Sequence, residues 1–160
     1  MKRTLYILLL LGFTVLSAFT SRARNQEPDT LFQKYDIAQE MQPGLFRVIE
    51  DGQTGVVSRD GRVIVPCRYD QVWTPDKDQF IRVLKDMKTG LYHMEQGLIL
   101  PAEYDQIWSF QNGLAKVMQN GKFGFINSEG AMVVPAEYQH VKKPENGRIR
   151  VIQNGRTGYL

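Results

Sequence analysis

Four residue columns recur along this chain with one period of 34 or 35 residues, and a period of that length restricts the chain to a stacked-repeat architecture. Glycines preceded by Thr or Phe stand at Gly55, Gly90, Gly124 and Gly158. Prolines that close an apolar run are Pro66, Pro101 and Pro135, and tyrosines follow three residues later at Tyr69, Tyr104 and Tyr138. Valines lie seven residues before each glycine, at Val48, Val83, Val117 and Val151. Tyr35 is in phase with Tyr69, and the fourth glycine lies two residues before Leu160. The N-terminal side therefore supplies the back part of a unit whose front part lies at the C-terminal side. Together they amount to about four units.

Each unit reads as β structure. The first strand is "LFRVI", "FIRVL", "LAKVM" or "RIRVI", short runs mostly rich in β-branched residues. Asp51-Gly52, Asn120-Gly121 and Asn154-Gly155 follow, pairs that tolerate the positive φ of a type I′ hairpin. The second unit has Asp86-Met87 there, which predicts a different turn. The second strand carries the repeated glycine, and a further turn follows at Asp60-Gly61 and Glu129-Gly130, with Gly97 displaced by one. The third strand is a short apolar run, and its proline, lacking an N–H, is expected to end the ladder. The expected fold is all-β: tandem hairpin repeats of about 34 residues in a curved open array. A closed small barrel or propeller-like ring is the alternative, because the split end units could pair and remove exposed edges.

The first segment stands outside that pattern. Lys2 and Arg3 precede the uncharged apolar run Thr4 to Phe19, and Ser21 and Ala23 follow in an A-x-A-like relation. This order reads as a secretory signal peptide at 1–23, followed by a linker at 24–30 and the repeat domain at 31–160. The sixteen-residue run is shorter than the ~20 residues a membrane-spanning helix needs. A secreted or periplasmic location follows, with membrane contact only through the signal peptide before cleavage. Cleavage after Ala23 removes three basic residues and no acidic one, so 20 basic residues become 17 and balance the 17 acidic ones. The basic pI near 9.0 is then a targeting artefact. Nucleic-acid binding, which needs a positive excess, is not expected.

Catalytic and cofactor motifs fail on inspection. Gly121-Lys122 is followed by Phe123 with no helix beyond it, so no phosphate loop forms. His93 and His140 occupy different repeat positions, which gives no metal ligand set, and no G-x-S-x-G elbow occurs. No enzyme activity, metal or cofactor is expected. Cys67, the single cysteine, aligns with Ala102 and Ala136, so it fills a small-residue slot as an inert buried residue.

Two columns carry candidate binding residues. Arg47, Arg82, Lys116 and Arg150 hold one position of the first strand in every unit. They could form a cation ladder for an anionic ligand. The preferred reading pairs them with Asp36, Asp70 and Asp105, which follow the repeat tyrosines; Gln139 breaks that series. The tyrosines themselves are expected to pack between units, each hydroxyl reaching a backbone partner. Trp73 and Trp108 lie four residues beyond two of these tyrosines, whereas Gln39 and Lys142 hold the other two places. A column the scaffold requires would be filled every time, so the two tryptophans are binding candidates.

With these columns in view, the units resemble WG repeats, a bacterial family of β repeats of roughly 35 residues. The third unit carries the resemblance best: Gly113-Leu114-Ala115-Lys116-Val117, then "NGKFGFINSEG", then "VVPAEY". The family usually has Trp before the repeated glycine, where this chain has Thr54, Thr89, Phe123 and Thr157. The resemblance implies a repeated β scaffold used as a binding module and implies no catalytic residues. The expected role is a protein–protein binding scaffold at the cell envelope, with a glycan or anionic polymer as the alternative partner.

Overall fold

Tight turns of left-handed residues organise every unit. In a computed structural model, which describes residues 34–160, Asp51 and Gly52 have φ of 50° and 74°, Asn120 and Gly121 52° and 72°, and Asn154 and Gly155 51° and 73°. The expected signal peptide and linker, and the first three residues of the expected repeat domain, lie outside the described residues. The second unit does not change its turn: Asp86 and Met87 have φ of 48° and 60°, the same left-handed pair. A side chain at Met87 costs backbone energy there. It meets no neighbours, being 87% exposed, and the Asp70 carboxylate holds the turn by accepting the Asp86 N–H at 2.8 Å.

Each turn closes the central hairpin of an antiparallel sheet. The first sheet runs β1 (Ile37–Gln42), β2 (Leu45–Glu50), β3 (Gln53–Ser58) and β4 (Val63–Tyr69), paired in that order. The second runs β5 (Gln71–Val72), β6 (Phe80–Lys85), β7 (Lys88–His93) and β8 (Gly97–Tyr104). The third has β9 (Gln106–Ile107), β10 (Leu114–Gln119), β11 (Lys122–Asn127) and β12 (Met132–Tyr138). The fourth has β13 (His140–Val141), β14 (Arg150–Gln153) and β15 (Arg156–Tyr159). Among the described residues no ladder joins the first sheet to the last, so the repeats form an open array and not a closed barrel.

Two features depart from the sequence reading. A short strand after each repeat tyrosine (β5, β9, β13) adds a member to each sheet. The prolines do not end their strands: Pro66, Pro101 and Pro135 lie inside β4, β8 and β12. These are edge strands, where a missing donor is tolerated. The ladder is irregular at that point, with Thr54 opposite Tyr69 and Val56 opposite Val65, so one residue faces three. The bulged strand passes directly over the repeated glycine. A Cβ on Gly55 would lie 2.7 Å from the Val65 carbonyl oxygen, one on Gly90 2.9 Å from the Ala102 nitrogen, and one on Gly124 2.4 Å from the Val134 carbonyl oxygen. The glycine column is therefore a crossing point, and Cys67, Ala102 and Ala136 are small because they lie beside it. Cys67 is half-buried, not fully buried, and burial pushes its thiol pKa up, away from the reactive thiolate.

The core is built at the junctions between successive sheets, and each junction repeats one recipe. Leu45 and Val56 of the first sheet, with Val65 and Tyr69 of its bulged edge strand, meet Val72, Ile81, Val83 and Tyr92 of the second sheet. At the second junction Phe80, Leu91 and Leu100 meet Tyr104, Ile107, Ala115, Val117 and Ile126. The third closes Phe125 and Val134 on Tyr138, Val141 and Val151. The repeat tyrosines do pack between units. At the first junction the hydroxyl partner is a side chain and not the backbone: Tyr69 and Tyr92 share a 2.9 Å hydroxyl bond, and Arg68 Nη2 donates to the Tyr92 oxygen at 2.9 Å.

That buried bond fixes a pH response. Burial, then the Tyr69 hydrogen bond, pushes the Tyr92 pKa up to about 12, against about 10 in an unfolded chain. The folded state keeps a proton that the unfolded state releases. The contribution to stability is thus complete below pH 10 and is lost as pH rises through about 12. Absorbance titration of phenolate in the wild type should show a group ionising near pH 12 that is missing in Tyr92→Phe.

Candidate functional site

The short strand that follows each repeat tyrosine sets one residue directly across from the basic column. The Trp73 N–H donates to the Arg82 carbonyl at 3.0 Å, Trp108 to Lys116 at 2.9 Å and Lys142 to Arg150 at 2.9 Å, while Gln39 pairs with Arg47. Residues directly opposite in an antiparallel pair present their side chains on the same face. The two candidate columns are therefore one feature: Trp73 with Arg82, and Trp108 with Lys116.

These pairs join into a strip across the middle of the array. Arg82 Nη1 donates to Ser109 Oγ at 3.3 Å, which links the second unit to the residue after Trp108. Lys116 Nζ lies 5.4 Å from the Trp108 ring centre and 4.2 Å from that of Phe123. Partial burial lowers the Lys116 pKa. The Trp108 and Phe123 ring centres are 6.0 Å apart, and Phe123 stacks on His140 at 5.8 Å and 18°. Trp73 stands 41% exposed. Phe123 and His140 were missed from sequence. The signal available was that Phe123 alone breaks the threonine pattern before the glycines, and it is the residue the strip uses.

The other two candidates lie elsewhere. Arg47 Nη2 donates to the Val72 carbonyl at 3.2 Å and so fastens the first sheet to the second. Arg150 faces Lys142, with no aromatic partner across the strand. The Nε atoms of both arginines are buried without a hydrogen-bond partner.

The expected pairing of the cation column with Asp36, Asp70 and Asp105 does not occur. Among the described residues the ion pairs are Arg59–Glu40, Lys77–Asp78, Lys85–Asp70 and Lys88–Asp105. Each acid instead lies beside the type I′ turn, three residues along the chain from the position that faces the cation. Asp36 accepts the Asp51 N–H at 2.9 Å and Asp105 the Gly121 N–H at 2.8 Å. Gln139 does not break the series, because its Oε1 accepts the Gly155 N–H at 3.0 Å. What the column needs is an oxygen acceptor for an otherwise open turn donor, and an amide supplies that as well as a carboxylate. The Lys88 hydrogen bond, followed by the Gly121 N–H, holds the Asp105 carboxyl below its usual pKa. No group of three or more His, Cys, Asp and Glu side chains arranged for a metal occurs among the described residues.

Four sheets of one design, each fixed by a turn acceptor and the first three also by a glycine crossing, define a tandem all-β repeat protein. The family described as WG containing repeat matches residues 55–88, 90–123 and 123–156, and the chain belongs to that family. The first two matched stretches begin at the crossing glycines Gly55 and Gly90, and the third begins one residue before Gly124. No curated protein matches the chain.

Proposed function

We propose that this protein is a non-enzymatic binding scaffold, secreted or periplasmic, that holds a protein partner at the cell envelope along the strip from Trp73 to His140. The observation that carries this reading is the pairing of Trp73 with Arg82 and Trp108 with Lys116 in the two central units alone. Neither cation is in an ion pair among the described residues, so the strip offers aromatic surface and unneutralised charge together. Exposed Trp and Arg are the residue types that dominate protein interfaces. The apolar run at Thr4 to Phe19, which lies outside the described residues, supports export.

An anionic glycan is the second reading, supported by Lys116 over the Trp108 and Phe123 rings and by Arg82 across the strand from Trp73. Trp73 is the better stacking platform, because Lys116 already covers the Trp108 ring. Affinity capture from envelope extracts, run beside binding to neutral and sulfated polysaccharides, separates the readings. The Trp73→Ala, Trp108→Ala double variant should lose at least about 30-fold in affinity, the ~2 kcal/mol of a hot spot. Unchanged capture and unchanged polysaccharide binding by that variant would remove the strip from the account.

A further inference from the structure

Charge is distributed unevenly along the array. Residues 34–138, which build the first three sheets, carry eleven basic and fourteen acidic side chains. Residues 139–160, which build the fourth, carry five basic side chains and one acidic. Among the described residues none of those five is in an ion pair, whereas Arg59, Lys77, Lys85 and Lys88 of the earlier units each pair with an acid.

The excess cations gather at the end of the aromatic strip. Lys142 holds the place of Trp73 and Trp108, directly across from Arg150. Like charges directly opposite one another destabilise a strand pair. No earlier unit does this: the pairs there are Gln39 with Arg47, Trp73 with Arg82 and Trp108 with Lys116. The scaffold therefore accepts Gln or Trp at this place. Two facing cations cost it stability, and neither has an ion pair among the described residues to offset that cost. Lys143 and Arg148, exposed between β13 and β14, add two more cations. His140 precedes Lys142 by two residues, so strand alternation puts Lys142 on the face where His140 stacks on Phe123.

We propose that the strip receives an acidic segment of its protein partner, with carboxylates at Lys142, Lys143, Arg148 and Arg150 and apolar side chains at Trp73 and Trp108. This rests on the strip being the partner-binding surface, and it adds the chemistry of the occupant and the end of the strip that takes its charge. Stacked sheets lie about 10 Å apart, so the two steps from Trp73 to Lys142 span about 20 Å, the reach of about six extended residues. A polypeptide can place apolar side chains over one part of that length and acidic ones over the rest. A sulfated polysaccharide carries charge evenly along its chain, and the first three sheets, with their acidic excess, would repel it. Unpaired rim cations also steer an oppositely charged partner and fix its register.

Binding of the purified full chain to a random copolymer of glutamate and tyrosine, beside dextran sulfate, tests this. At low salt the copolymer should bind, and at least about tenfold more weakly to the Lys142→Gln, Lys143→Gln double variant. Raising salt from about 50 mM to about 500 mM should remove that difference, because exposed cations are screened. A control, Arg59→Gln with Lys85→Gln, removes the same net charge from cations that already have acids, and should bind within about twofold of wild type. The lysine variant should fold, since Gln39 holds the same place in the first unit, and its melting temperature should not fall. Copolymer binding that the lysine variant leaves unchanged, or that the control weakens equally, overturns the proposal. So does an absence of copolymer binding. Dextran sulfate bound more tightly than the copolymer, with both lost in the lysine variant, also overturns it, because the occupant would then be a polysaccharide. The strip is judged separately: envelope capture lost in the Trp73→Ala, Trp108→Ala variant but kept in the lysine variant overturns only the acidic segment.

Discussion

Gly124→Ala should be among the most damaging single-methyl changes this chain can suffer, with a loss of about 2–4 kcal/mol. The added carbon would lie 2.4 Å from the Val134 carbonyl oxygen, 2.8 Å from the Ala136 nitrogen and 2.9 Å from the Pro135 carbonyl carbon. All three are backbone atoms, so no side chain can rotate away, and β11 and β12 must separate. Overpacking of a tight site costs about 1–3 kcal/mol, and strained main-chain pairing adds to that. Conformational freedom is not the reason for this glycine, because Gly124 is not among the residues with positive φ. Gly158→Ala supplies the contrast: its added carbon would meet only Val151 Cγ2 at 3.5 Å, so the change should stay within about 0.5 kcal/mol. Urea unfolding of both variants measures the difference. Equal losses at the two positions would contradict the crossing-strand account of the column.

Ile81→Ala should cost about 2–5 kcal/mol, the range for truncating a fully buried aliphatic side chain. Ile81 is wholly buried in the junction between the first and second sheets, against Leu45, Val56 and Val65. Its volume cannot be recovered easily, because the junction is walled by strands whose register is fixed on both sides. In an array the damage should be local: each unit contacts only its neighbours, and stability is a sum of unit and junction terms. Amide exchange should therefore accelerate most in β2 to β7 and least in β14 and β15. Uniform acceleration across all four sheets would show a single cooperative core instead.

The parts of this fold that were legible in the sequence are those that one residue decides locally. Asn120-Gly121 specifies its own turn, and the columns of Val48 and Tyr69 declare a period. What stayed hidden depends on contacts across the period. Met87 in a type I′ turn is disfavoured locally, but Asp70 accepts the Asp86 N–H from sixteen residues away and keeps the turn. Pro66 looks like a strand terminator until the strand is seen at an edge, with its missing donor at a bulge. The repeated glycine could be counted, yet its reason lies in a strand that returns ten residues later. The site followed the same division. Trp73 and Trp108 stood out because their column is only half filled, and Arg82 and Lys116 because theirs is complete. That the two columns face each other needed the short strands β5 and β9, which are two residues long and carry no sequence signature of their own. Charge alone misassigned the acids, because a backbone N–H competes for a carboxylate as well as a cation does.

The openness of the array is tested most directly by removing residues 155–160, which deletes β15, and following amide exchange sheet by sheet. Among the described residues the first sheet shares no ladder with the last, so protection should fall in β13 and β14 while β2, β3, β6 and β7 keep their wild-type rates. Loss of protection throughout the chain, the first sheet included, would mean that the ends close on one another and would contradict the open array.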